Sequence, residues 1–134
     1  MVTQRRGYTI DRGTPAIQPR SDSIPAFTEH DVRDYLSRGV SLGKIRVLGQ
    51  PTIIQIVFTT IRELDRACGE RYFEANYPAD LPICYVELSG TFRVFGPPGL
   101  GASPGASIST AFILIDACTG NVFVTGTPSR ARWA

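Results

Sequence analysis

Histidine, lysine and closely spaced cysteines are scarce in this chain, and many enzyme and metal sites depend on them. The 134 residues include one histidine, His30, one lysine, and three cysteines without Cys-x-x-Cys spacing. Zinc sites need several closely spaced cysteine or histidine ligands, and disulfide scaffolds need an even set of cysteines. The composition therefore argues against both, and we expect no metal and no cofactor.

The three cysteines, Cys68, Cys84 and Cys118, are expected to be free thiols packed like small apolar side chains. Strand pairing can bring Cys84 close to Cys118, but the separation of their Cα atoms decides whether a disulfide forms. The sequence leaves that bond open. A catalytic pairing of cysteine with His30 is not expected, because no local motif surrounds any of the three.

Nucleotide-binding and membrane-spanning patterns are also missing. The glycine-rich stretch GPPGLGASPGAS lacks the Gly-Lys-Ser/Thr end of a phosphate-binding loop, and no apolar run approaches the ~20 residues that span a bilayer. The basic start, MVTQRRGYTIDRG, is not followed by the apolar stretch of a signal peptide. Two compartments stay open: the cytoplasm, or an extracytoplasmic site if a leader is missing.

The net charge of +2 is unevenly distributed. Residues 1–25 and 127–134 carry six arginines and two acidic residues, whereas the part between them is slightly acidic. Basic ends can bind nucleic acid, but an RNA-binding sheet interleaves aromatic and basic residues on one face, and no strand here does so. We interpret the ends as solvated and expect no nucleic-acid partner.

Hydrophobic residues make up 43% of the chain and aromatic residues 10%, enough for the core of one domain. Residues 1–25, interrupted by three prolines, are predicted to be an extended arm, residues 26–127 the domain, and residues 128–134 a tail. Within the arm, Tyr8 and Ile10 are the candidate contacts to a neighbouring subunit, by strand addition to its sheet edge.

Two helices are predicted. In FTEHDVRDYLSRG, Thr28 and Asp31 have the spacing of a capping box, and Phe27 and Val32 that of a hydrophobic staple. A second helical segment starts at Ile61 and is expected to end near Gly69, with these residues on one side: Ile61, Leu64, Ala67 and Cys68. The loop after it carries three aromatic residues that are candidates for a binding surface: Tyr72, Phe73 and Tyr77.

Strands account for most of the rest. KIRVLG and TIIQIVFTT are read as two strands, the second with Ile54, Ile56 and Phe58 on one face. In ICYVELSGTFRVF the even-numbered positions form an apolar row that includes Cys84, Val86, Leu88 and Phe92, and the odd-numbered positions form a row that includes the polar residues Glu87, Ser89, Thr91 and Arg93. Such alternation is typical of a sheet with one face on the core and the other in water.

The sequence AFILIDACTGNVFVTG, near the end of the chain, predicts a hairpin. The Asp116 side chain is expected to form a hydrogen bond to the turn, and Gly120 to adopt the positive φ that the turn requires. The fold class predicted is therefore α+β: a short N-terminal helix and a second helical segment packed on a curved antiparallel sheet of 4–5 strands.

CYVELSG followed by ILIDACTGNVFV resembles the strand core of PepSY-like domains, over residues 82–126. The matching positions are Tyr85, Val86, Asp116, Ala117, Thr119, Gly120 and Val122. The chain departs from that pattern in the insertion at residues 96–107 and in the extra helical segment. The resemblance implies a non-catalytic, extracytoplasmic binding or regulatory module.

Three functions are consistent with these patterns. The first is a non-catalytic binding or regulatory module that acts on a protein partner; the second is a self-assembling subunit joined through its arm. The third is a pocket protein or enzyme of cystatin-like or NTF2-like cone shape, with Tyr85, Glu87 and Arg93 in its cavity.

Overall fold

Four long antiparallel strands and one short one form a single sheet, with a helix on each face. The computed structural model describes residues 14–15, 17–43, 45–94 and 107–133. In chain order the elements are β1 (Thr14–Pro15), α1 (Glu29–Ser37), β2 (Ile45–Thr60), α2 (Ile61–Cys68), β3 (Pro82–Val94), β4 (Ser107–Asp116) and β5 (Asn121–Gly126). The strand order is β1-β5-β4-β3-β2. The predicted α+β class is confirmed.

The start of α1 is fixed by the predicted capping box. Thr28 Oγ1 accepts a hydrogen bond from Asp31 N at 3.2 Å, and Thr28 N donates to Asp31 Oδ2 at 2.9 Å. Arg20 adds an ion pair to the Asp31 carboxylate at 2.7 Å. Val32 and Phe27, the two members of the staple, are buried in the same core cluster. The capping box therefore determines where α1 begins. The apolar side of α1 determines the face of the sheet on which the helix packs.

The first face of the sheet holds the core that the apolar row of β3 predicts. Cys84, Val86, Leu88 and Phe92 are fully buried there. They pack against Val32 and Leu36 of α1 and against the matching row of β4: Ala111, Ile113 and Ile115.

The second face was expected to be wet, and this expectation was wrong for half of its length. Ile83 and Tyr85, on that face of β3, are 0% and 1% exposed, whereas Thr91 and Arg93 at the other end are exposed. The cover comes from a second core cluster that includes Ile61, Leu64, Phe73, Leu81 and Leu114. The reason is that α2 follows β2 directly and turns its apolar side onto this face.

The two strands predicted from KIRVLG and TIIQIVFTT are one sixteen-residue strand, β2, with two irregularities in its pairing with β3. Gly49 to Pro51 form the first. At the second, Ile53 and Gln55 pair with the adjacent residues Leu88 and Glu87, so Ile54 is an extra, unpaired residue. Ile54 is 49% exposed as a result, and Ile53 faces the core with Ile56 and Phe58. The prediction that Ile54 shares one face with Ile56 and Phe58 is therefore wrong.

The hairpin from β4 to β5 also anchors the residues before α1. Asp116 Oδ1 accepts hydrogen bonds from Cys118 N at 2.8 Å and Thr119 N at 3.2 Å, and Gly120 has a φ of 76°. Ile17 N donates to Gly120 O at 3.2 Å, and Ile17 is buried. The described part of the predicted arm thus lies against its own domain, on the edge of β5.

Residues 128–133, predicted to be a tail, run across the second face. Arg132 N donates to Ala67 O at 2.8 Å, and Ala131 is buried. The ring of Trp133 meets that of Tyr85 edge to face, with centroids 5.5 Å apart. The C-terminal segment is therefore part of the cover over Tyr85.

We expect Gly120→Ala to destabilise the fold more than Gly69→Ala. Both glycines have φ values near 75°, which costs an L-residue about 1–2 kcal/mol. A Cβ at Gly69 meets open space, whereas a Cβ at Gly120 collides with the backbone carbonyl of Ile17. Urea denaturation of the two variants measures the difference, and equal losses would contradict the anchoring of Ile17 on the hairpin.

We expect Asp31→Ala to lower the free energy of unfolding by about 1–2 kcal/mol at pH 7. The pKa of Asp31 lies below its ordinary value of 3.8, chiefly because Thr28 N donates to the carboxylate, with help from the Thr28 hydroxyl and Arg20. Below pH 3.8 the unfolded chain takes up a proton before the folded chain does, so this stabilisation is lost as the pH falls.

Urea titrations of the native chain and Asp31→Ala at pH 7, 4 and 2.5 measure this loss, and the difference between them should shrink below pH 4. Asp34→Ala is the control, since Asp34 is 63% exposed and pairs with Arg38 at 3.4 Å; it should change stability by less than about 1 kcal/mol. A difference for Asp31→Ala that does not depend on pH would contradict the account.

Candidate functional site

The second face carries a groove between α2 and the C-terminal segment, which we call the α2 groove. Its volume is about 360 Å³. Small-molecule sites usually measure about 300–1,000 Å³. Its lining comes from α2, the aromatic loop after it, the sheet and the end of β5: Leu64, Cys68, Glu70, Tyr72, Phe73, Tyr85, Phe112, Val124, Thr125, Gly126, Thr127, Pro128 and Arg130.

Aromatic rings form the floor of the groove. The rings of Tyr85 and Phe112 are nearly parallel, with centroids 6.1 Å apart, and Phe73 meets Phe112 edge to face at 6.1 Å. Phe112 lies so close to Gly126 that a Cβ there would be 2.7 Å from the ring. A glycine at the end of β5 is therefore required for this floor.

Asp65 holds the aromatic loop in place as one wall. Its side chain is 1% exposed and accepts hydrogen bonds from Phe73 N at 2.9 Å and Glu74 N at 2.8 Å. This role of Asp65 was not predicted from the sequence. The signal was present, since Asp65 lies four residues after Ile61 and so on the apolar side of α2, where a carboxylate must find donors.

Two charged side chains of opposite sign line the groove: Glu70 and Arg130. Both are exposed, and within the described part of the chain neither side chain forms an ion pair or a hydrogen bond. Tyr72 lies beside them with 63% of its side chain exposed. These three groups are free to contact a ligand that enters the groove.

A polar network closes the groove behind Tyr85. Its hydroxyl hydrogen-bonds to Ser129 Oγ and donates to Glu87 Oε1 at 3.3 Å. The same Glu87 oxygen accepts from Ser129 Oγ at 3.2 Å and from Gln55 Nε2 at 3.1 Å. Burial raises the pKa of the Tyr85 hydroxyl well above its ordinary value of 10. Tyr85 is therefore neutral at pH 7 and acts as a fixed hydrogen-bonding group.

Among the described residues Cys68, Cys84 and Cys118 form no disulfide, so the Cys84–Cys118 bond that the sequence left open is not made. Burial raises the pKa of Cys84 to about 12, with a smaller contribution from Glu29. Burial also raises the pKa of Cys68, which lines the groove; Glu70 and Asp65 act in the same direction and Arg130 opposes them. Both thiols stay protonated at pH 7.

The structure brings together four of the six candidate binding residues. Tyr72, Phe73 and Tyr85 line the α2 groove, and Glu87 bonds to the Tyr85 hydroxyl. Tyr77 lies outside the groove, against the ring of Phe123 at 5.1 Å. Arg93 is exposed near the other end of β3. The two candidate arm residues, Tyr8 and Ile10, lie outside the described residues.

Residues that the sequence analysis did not single out complete the site. Phe112, Arg130 and Trp133 belong to the hairpin and the segment after it, which were read as strand and tail. Across the described ranges no group of three His, Cys, Asp or Glu side chains is arranged to hold a metal ion. Neither described helix has the length and hydropathy to cross a membrane.

In thiol labelling at pH 8 we expect Cys84 to be unreactive in the native chain and Cys68 to react more slowly than a free thiol. The thiolate is the reactive form, and a raised pKa reduces its population. Mass spectrometry of labelled peptides measures each rate, and the denatured chain, in which all three cysteines should react, is the control. Labelling of native Cys84 as fast as in the denatured chain would contradict the buried first core.

Comparison of the chain with models of protein families, with curated proteins and with solved structures gave no match. The resemblance of residues 82–126 to PepSY-like domains therefore stays a prediction.

Proposed function

We propose that the chain is a non-catalytic binding domain and that the α2 groove takes a small ligand with an aromatic or other apolar ring. The observation that carries this proposal is the combination of an aromatic floor with two charged groups on the lining, Glu70 and Arg130, that form no ion pair with any described residue. The transfer of an apolar ring from water onto the side chains of Phe73, Tyr85 and Phe112 is favourable, and a few polar groups orient the ligand.

Binding of an apolar ring is supported by the way the aromatic floor of the groove is packed. The floor rings are held by Asp65 on one side and by Gly126 on the other, so the groove is formed before a ligand arrives. A site that needs no rearrangement loses less conformational entropy on binding.

A fixed orientation of the ligand is supported by the exposed side chains on the lining of the groove. Arg130 and Glu70 offer one positive and one negative contact, and Tyr72 offers an exposed ring. An acidic group on a ligand would be attracted by Arg130 and repelled by Glu70. The two residues therefore have opposite effects on an anionic probe.

The chemistry of the groove favours binding over catalysis. A nucleophilic cysteine needs a lowered pKa or an adjacent base, whereas the pKa of Cys68 is raised. His30, the one histidine of the chain, lies on α1, which packs on the opposite face of the sheet. Glu87 is committed to hydrogen bonds with Gln55, Tyr85 and Ser129.

Titration with the fluorescent anion 1-anilinonaphthalene-8-sulfonate tests the proposal. We expect saturable binding to the native chain at one site, weakened about threefold to tenfold by Tyr72→Ala and by Arg130→Gln. Glu70→Gln should strengthen binding, because it removes a repulsive charge. The bound probe should also slow the labelling of Cys68.

Matched controls keep the result specific. Leu48→Ala and Ile24→Ala remove exposed apolar side chains elsewhere, at 38% and 40% exposure, and should leave the affinity unchanged. Circular dichroism checks that each variant is folded. Equal losses for controls and groove variants, or no binding by the native chain, would overturn the proposal. Turnover of a substrate that is abolished by Glu87→Gln would overturn its non-catalytic part.

A further inference from the structure

Within the part of the chain that the structure describes, the outer side of β2 is an edge of the sheet. Among the strands that the structure describes, β2 has a single neighbour, β3. Alternate backbone N–H and C=O groups of an edge strand point away from its neighbour and form a template for another strand. At sixteen residues, β2 is longer than the 3–10 residues usual for a strand. The edge is therefore a long row of outward-pointing donors and acceptors.

The apolar side chains along this edge are less buried than their partners on β3. Ile56 and Phe58 are half-buried, whereas Val86 and Cys84, directly opposite them, are fully buried. Ile54, just before them on the same strand, is 49% exposed. Each of the two core clusters includes residues of both β3 and β2, so the two strands share the same covers. The lower burial of the β2 side chains therefore arises because β2, among the described strands, has a neighbour on one side only.

Edge strands usually carry a charge, a proline or a bulge that prevents pairing. On β2 these features are confined to the first ten residues, which include Arg46, Pro51 and the bulge at Ile54. From Gln55 to Thr60 the register with β3 is regular and no side chain is charged. The segment is uncharged and rich in β-branched residues, which are the properties of strands that pair with copies of themselves.

We propose that residues 55–59 pair antiparallel with the same residues of a second copy of this chain, joining two sheets into one. Residues directly opposite each other in an antiparallel pair point to the same face. A two-fold axis at the middle residue of this segment places Val57 opposite Val57 of the second copy. Ile56 then lies opposite Phe58, and Gln55 opposite Thr59, without any pair of like charges.

A second copy is the occupant that this edge fits best because the strand is its own complement. Ile56 with Phe58 is a β-branched and aromatic pair, which stabilises neighbouring strands. A two-fold contact closes at two copies, so the edges of both are covered at once. The pairing uses none of the residues that line the α2 groove and does not rest on the proposed function.

The mass of the native particle, measured by size-exclusion chromatography with light scattering, tests the proposal. We expect twice the mass of one chain at micromolar concentration and at least a tenfold weaker dimer for Ile54→Lys, which places a charge beside the paired segment. Tyr72→Lys adds the same charge at an exposed residue in the loop after α2, away from the β2 edge, and should leave the dimer intact. A monomeric native chain, a larger open-ended assembly, or equal effects of both variants would overturn it.

Disulfide cross-linking tests the register in a Cys68→Ser, Cys118→Ser background. Val57→Cys should form a dimer under mild oxidation, because a disulfide needs Cα atoms about 4.4–6.8 Å apart. Thr59→Cys should not, because its counterpart is four residues away along the strand, roughly 13 Å. Cross-linking of Thr59→Cys as fast as Val57→Cys, or of neither, would overturn the register and with it the proposed pairing.

Discussion

The double-sided burial of β3 is the constraint on which the other features depend. Its apolar row of Cys84, Val86, Leu88 and Phe92 packs in one cluster with α1. Ile83 and Tyr85, on the other face, pack against α2 and the C-terminal segment. Because each residue from Ile83 to Val86 is at most 1% exposed, both covers must be in place at that end of the strand. At the other end the second cover stops, and Thr91 and Arg93 face solvent.

The α2 groove is a consequence of how the second cover is assembled. α2 contributes one wall, and the segment after β5 contributes the other through Pro128 and Arg130. The two walls join where Arg132 N donates to Ala67 O, and the ring of Trp133 lies against Tyr85. A cover made of two separate pieces leaves a space between them, and the floor of that space is aromatic because Tyr85 and Phe112 lie beneath it. The groove and the second core are thus parts of the same packing arrangement.

Local features could be predicted from the sequence because they depend on a few adjacent residues. The capping box at Thr28, the left-handed glycine after α2 and the turn at Asp116 all follow from side-chain chemistry within one turn of chain. The apolar row of β3 also predicted its core correctly. What could not be predicted depends on long-range packing. Tyr85 was placed on a wet row because its neighbours Glu87 and Ser89 are polar, and nothing near it in sequence indicates α2. Likewise the bulge at Ile54 moves one residue out of register, and only the pairing with β3 reveals it.

The fluorescence of Trp133, the only tryptophan of the chain, reports whether the C-terminal segment lies on the second face of the sheet. In the native chain its emission should lie at shorter wavelength than in urea and should resist quenching by iodide, because the indole is half-buried against Tyr85. Tyr85→Leu should move the emission toward that of the unfolded chain while circular dichroism stays native. A native emission and quenching rate equal to those of the denatured chain would contradict the covered second face and the groove that depends on it.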